Sequence, residues 1–146
     1  MTDEDAHPAL CLVIISGPLL WLTARAWEPA DIEPGDIVYW LAIPQSAKTI
    51  PVFAPCTGPL YSLVRQDGLR PQRVTIRYGT RFAQAEVLEQ YRAAFLQRAC
   101  DTTRDASAIR AQSCTPPIDH MDIDVTTRAM ADGTNCNGVT VLIIGG

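Results

Sequence analysis

Hydrophobic and polar positions are arranged in three distinct ways along this chain, and each predicts a different kind of element. The first is an unbroken apolar run. From Pro8 to Ala24 seventeen residues pass without a charge, Val13-Ile14-Ile15 at their centre. A membrane-spanning helix needs about 20 mostly apolar residues, with a usable range of roughly 17–25. Residues 8–27 meet that length if Arg25 snorkels to the headgroups and Trp27 sits at the interface. Gly17 and Pro18 are tolerated in a span. The competing reading is a buried hairpin, Leu10–Ile15 and Leu19–Thr23 about a Ser16-Gly17-Pro18 turn. Residues 1–7 form an acidic tail, without the basic region of a signal peptide. The run is read as an N-terminal apolar helix that anchors the chain.

The second pattern has a period of two. Val74, Ile76 and Tyr78 alternate with Thr75 and Arg77, so Arg73–Gly79 reads as a strand with one wet face. Leu60–Arg65 reads as its partner across the turn Gln66-Asp67-Gly68. Ile118–Met130 and Val139–Ile144 form a second hairpin about Ala131–Asn135. The last strand is a continuous apolar run, as expected of one covered on both faces.

The third pattern has a period of 3.6. Val87, Leu88, Tyr91, Ala94, Phe95 and Ala99 form one stripe, opposed by Glu86, Glu89, Gln90, Arg92 and Gln97. This predicts a helix from about Arg81 to Arg98, capped by Thr80, with Glu89 and Arg92 paired on its surface. A polar loop follows at 101–105, then a weak strand around Ser107–Ser113. Together these elements predict an α+β domain at 60–146: a small antiparallel sheet of two hairpins, about 60–79 and 118–144, packed on one amphipathic helix at about 81–98.

Between anchor and domain, residues 28–59 are rich in proline and read as a connector. Within it, Tyr39-Trp40-Leu41 predicts either a short element docked on the core or an aromatic contact with the membrane interface.

Composition changes this picture little. The chain has 146 residues and a net charge of −4, with no basic footprint for nucleic acid. The cysteines change it more. Cys11 lies inside the apolar run, whereas Cys56, Cys100, Cys114 and Cys136 follow it. Four cysteines suit two disulfides in an oxidising compartment, with three possible pairings. Cys136 lies in a turn that Cys100 or Cys114 could each reach, and Cys56 would tether the connector. No C-x-x-C pair occurs, so zinc is not expected. Orientation divides the indications: Arg25 alone would hold the following region in the cytoplasm, while the cysteines favour export.

Candidate chemistry is sparse. In an extended strand, His120, Asp122 and Asp124 share one face about 7 Å apart, a geometry suited to a metal or to acid–base work. Alternation with Met121, Ile123 and Val125 is equally that of any half-solvated strand. Arg73 and Arg77 share a strand face, with Arg70 nearby and Arg81 at the helix start, an arrangement suited to an anion or to solvent. No phosphate loop or nucleophile elbow occurs.

The expected function is therefore non-enzymatic: a domain held by residues 8–27 in an inner membrane of bacterial type, facing outward, that binds a protein or small ligand without a cofactor. The alternatives are a small soluble enzyme or metal-binding protein using His120, Asp122 and Asp124, and a subunit whose apolar N-terminus is buried in an assembly.

Overall fold

The computed structural model describes residues 20, 21, 23, 27–114, 121–129 and 135–145. The N-terminal apolar helix expected at 8–27, like its hairpin alternative, lies largely outside them. Among the described residues, no helix is long and apolar enough to cross a membrane.

The period-two segments assemble into a single six-stranded antiparallel sheet. Its strands are β1 (Pro55–Val64), β2 (Gln72–Thr80), β3 (Asp101–Arg104), β4 (Ala108–Gln112), β5 (Met121–Ala129) and β6 (Asn137–Gly145). The spatial order is β1-β2-β6-β5-β4-β3. Pairing of β2 with β6, Ile76 opposite Val141, fuses the two expected hairpins. The α+β reading holds: the expected sheet of two hairpins is present, extended at one edge by β4 and by β3, which lies where a polar loop was expected.

The alternation sorts the side chains onto two faces. Ile76, Val141, Val125 and Ile109 stand in one row across four strands, and Val74, Ile143, Ile123 and Ala111 in the next. All eight are buried. Over this face lies helix α3 (Gln84–Gln97), which packs Val87, Leu88, Tyr91 and Phe95 into the core. The helix begins later than the sequence suggests. Thr80 ends β2 instead of capping α3, and its hydroxyl donates to the Phe53 carbonyl (2.7 Å). Ala99 leaves the expected stripe for a physical reason. It has left-handed backbone (φ 50°) and is exposed, in the C′ position of a Schellman ending where Ala99 N–H bonds Leu96 O and Cys100 N–H bonds Phe95 O.

The proline-rich connector supplies core. Ile32, Val38, Tyr39, Ile43, Ala47 and Ile50 are all buried. Two short helices lie within the connector, α1 (Ile37–Ala42) and α2 (Gln45–Lys48). Asp36 caps the first by accepting from Val38 N–H (3.0 Å), and Pro44 separates them. Tyr39 then meets Tyr61 of β1 edge-on, ring centroids 4.9 Å apart. The stretch after α2 is held by a buried relay. The Phe53 N–H donates to the Tyr78 hydroxyl (3.4 Å), which lies 2.9 Å from that of Tyr91; Tyr91 in turn donates to the Pro51 carbonyl (2.8 Å). Because the Tyr91 proton is committed to Pro51, Tyr78 is the donor between the two phenols.

The expectation that the closing strand is covered on both faces is corrected. Val139, Val141 and Ile143 of β6 point into the core, whereas Leu142 and Ile144 are only half-buried on the other side, where no helix lies among the described residues. Two disulfides brace the fold. Cys56 joins Cys136, and Cys100 joins Cys114 between the end of α3 and the end of β4. The pairing expected between Cys136 and Cys100 or Cys114 gives way to this one. The Schellman ending turns Cys100 back toward β4, and Cys56 opens the strand two places from β6.

Candidate functional site: a cleft on the uncovered sheet face

The face of the sheet away from α3 carries the polar half of the alternation. Across it run rows such as Leu60, Arg77, Thr140, Thr126 and Ala108, and Ser62, Thr75, Leu142, Asp124, Arg110 and Thr103. Two depressions lie here. The larger is about 710 Å³ and the smaller about 340 Å³, with Thr140 common to both.

The larger cleft owes its existence to a local failure of pairing. β1 loses register with β2 twice, between Pro55 and Thr57 and between Thr57 and Leu60. Pro59 has no N–H for the ladder, and edge strands are where such residues are tolerated. One ladder bond is replaced by a side chain, Gly79 N–H donating to Thr57 Oγ1 (2.7 Å). The bulged strand bends away and leaves Gly58, Pro59 and Leu60 as one wall. Arg77, Arg128 and Thr140 come from the sheet floor, and Glu33-Pro34 closes the far side. The Cys56–Cys136 disulfide sits at the rim, next to Thr57 and two residues before Gly138.

The charges in the cleft differ in their engagement. Arg77 pairs with Asp31, which has left-handed backbone (φ 54°) and whose N–H donates to Ser62 Oγ (3.2 Å). Arg128 has no hydrogen-bond or ion-pair partner among the described residues. The cleft thus offers a guanidinium fork over apolar walls made by Pro34, Pro59 and Leu60.

The residues singled out in the sequence fall around this face. Arg73 and Arg77 share it as expected, Arg73 opposite Val64 and Arg77 opposite Leu60. Arg81 lies beyond the end of β2, its N–H bonded to Ala54 O (3.0 Å). Arg70 lies in the turn before β2, its N–H bonded to Asp67 O. Asp122 and Asp124 are on the uncovered face two strands away from β2. Asp122 accepts from Gln112 Nε2 (3.0 Å) and Asp124 from Arg110 Nε (2.6 Å). Their proposed partner His120 lies outside the described residues. Among the described residues, no three His, Cys, Asp or Glu side chains gather as metal ligands would.

On the covered face, burial raises the phenol pKa values of Tyr61, Tyr78 and Tyr91. For Tyr61 the neighbouring Tyr39 adds to the effect, and for Tyr91 the neighbouring Tyr78 does. The Tyr78 and Tyr91 hydroxyls hold structure, although Tyr78 also contributes to the lining of the larger cleft. Arg128 and Glu33 were not anticipated from sequence. Arg128 is in phase with Asp122, Asp124 and Thr126, so the period of two does place it on the wet face. Glu33 has no such signal, because only the docking of the connector brings it there.

Comparison of the chain with family models, curated proteins and solved structures finds no match.

Proposed function

We propose that this chain is a non-enzymatic binding module, held at an inner membrane of bacterial type by residues 8–27 and facing outward. It takes a small ligand with an anionic group and an apolar body on the uncovered sheet face. The observation that carries this reading is the cleft of about 710 Å³, in which Arg128, without a partner among the described residues, and half-exposed Arg77 stand over Pro34, Pro59 and Leu60. A carboxylate or phosphate would accept from the guanidinium groups while its apolar portion covers the prolines and leucine. Two disulfides support an oxidising compartment, which agrees with export. The uncharged run ending at Ala24 supports the anchor.

The test uses the full-length chain with octanoate and inorganic phosphate as separate probes, followed by backbone amide shifts. Octanoate is expected to saturate and to move Gly58, Leu60, Gly138 and Thr140 together. Arg128→Ala is expected to weaken binding on the order of tenfold, the size of one charge-assisted hydrogen bond. Shifts scattered over the surface, or no saturation by either probe, would overturn the assignment.

A further inference from the structure

Helix α1 reads Ile37-Val38-Tyr39-Trp40-Leu41-Ala42, apolar at every position. A helix that is hydrophobic all round requires cover all round. Its inner side has it, since Val38 and Tyr39 are buried and the Tyr39 ring rests against Tyr61. Its outer side does not. Ile37 is 59% exposed, Trp40 67% and Leu41 70%. At about 100° per residue, positions i, i+3 and i+4 fall within one arc of about 100°, so the three side chains point the same way. Docking of Val38 and Tyr39 fixes the helix in that rotation, and the patch cannot turn inward.

Its surroundings indicate what covers it. Among the described residues nine large apolar side chains are exposed, and seven of them lie between Leu20 and Val64. They include Leu20, Trp21 and Trp27, at and just beyond the end of the uncharged run. Trp27 and Trp40 each carry a cation. The Arg65 guanidinium lies 5.6 Å from the Trp27 ring centroid and donates to the Trp27 carbonyl (2.8 Å). The Lys48 ammonium lies 5.3 Å from the Trp40 ring centroid and donates to the Trp40 carbonyl (3.2 Å). An indole beside a long basic side chain is suited to the membrane interface, where the ring lies at headgroup depth and the cation reaches the phosphates.

We propose that the outer face of α1, Ile37, Trp40 and Leu41 with Lys48 at its border, rests on the lipid surface. This inference rests on the reading of residues 8–27 as an anchor, and adds a second contact that sets how the domain stands on the bilayer.

Trp21→Phe with Trp27→Phe leaves Trp40 as the single tryptophan of the full-length chain. That variant is reconstituted into vesicles of phosphatidylcholine with a minority of phosphatidylglycerol, some carrying bromine on the acyl chains near the headgroup. Flotation reports the anchor, and quenching of Trp40 reports α1. The expected result is flotation with several-fold quenching of Trp40. That quenching should be lost, with flotation kept, on adding Ile37→Ser and Leu41→Ser. Flotation with Trp40 unquenched overturns the lipid contact and leaves the anchor standing; a blue-shifted Trp40 in that case marks a protein partner or a second copy as the occupant. Failure to float overturns both readings.

Discussion

The two faces of the sheet are built from the same strands, yet they obey different physics. On the covered face, Val74, Ile76, Val125, Val141 and Ile143 interlock with Val87, Leu88, Tyr91 and Phe95, and the phenols of Tyr78 and Tyr91 are bonded to each other and to the backbone. On the uncovered face, charge pairs such as Arg110–Asp124 stand in water beside half-buried Leu142 and Ile144. The first face supplies stability through removal of apolar area and close packing. The second contributes little to stability, because exposed ion pairs are screened and mobile. It is therefore free to vary in chemistry, and both clefts lie on it. The fold spends one face on its own cohesion and keeps the other for recognition.

The sharpest break in this comparison should come from the rim that joins the two faces. Cys56 and Cys136 are 80 residues apart, and by loop-closure entropy their link contributes about 4.5 kcal/mol. Cys100 and Cys114, 14 apart, contribute about 3 kcal/mol. Paired serine replacements followed by urea melts should reproduce that order. The Cys56/Cys136 double variant should also blur octanoate binding, while the Cys100/Cys114 variant leaves it intact.

Truncation of the core comes next. Phe95→Ala should cost about 3–5 kcal/mol by denaturant melting, and Leu142→Ala on the opposite face well under half as much. Equal losses would mean that the uncovered face is covered in solution.

Alkaline pH probes the covered face through its buried tyrosines. Unfolded tyrosine ionises near pH 10, and the folded chain holds Tyr61, Tyr78 and Tyr91 neutral beyond it. Above that pH the unfolded state has released protons that the folded state still binds, so rising pH favours unfolding. The contribution is complete below about pH 10 and is lost progressively above it. Melts at increasing alkalinity should show this fall, and Tyr78→Phe should make it shallower.

The smallest effect is expected on the open face. Arg110→Ala, which removes the exposed pair with Asp124, should leave the urea midpoint essentially unchanged. A clear loss would assign that face a structural role.

Much of the covered face is legible in the sequence, because burial imposes periods that survive in the residues. The alternation of Val74, Ile76 and Tyr78 and the stripe from Val87 to Phe95 both report contacts with the same core. Strand β3 is not legible. Asp101-Thr-Thr-Arg104 holds no apolar side chain, being a short edge strand with only Thr102 partly covered. The start of β1 is hidden by Pro55 and Pro59, residues that an edge strand with two register shifts accommodates. The connector misleads for a related reason. Prolines restrict element length, yet elements as short as α1 fit between them and still carry Val38 and Tyr39 into the core. Of the cleft, Arg77 follows from the strand period. Glu33 depends on tertiary docking and leaves no trace in local pattern.

The position of β6 has a kinetic consequence. It comes later in sequence than every other strand, yet lies in the middle of the sheet, with β2 on one side and β5 on the other. Neither half of the core can be completed until Val139–Ile143 arrives, and its pairing with Val74–Tyr78 spans more than sixty residues. Contacts of such separation slow folding, because the intervening chain must be ordered before they form. Cys56 must likewise wait as a free thiol for Cys136. Refolding of the reduced chain is thus expected to be slow, with the Cys100–Cys114 bond forming well ahead of its longer-range counterpart.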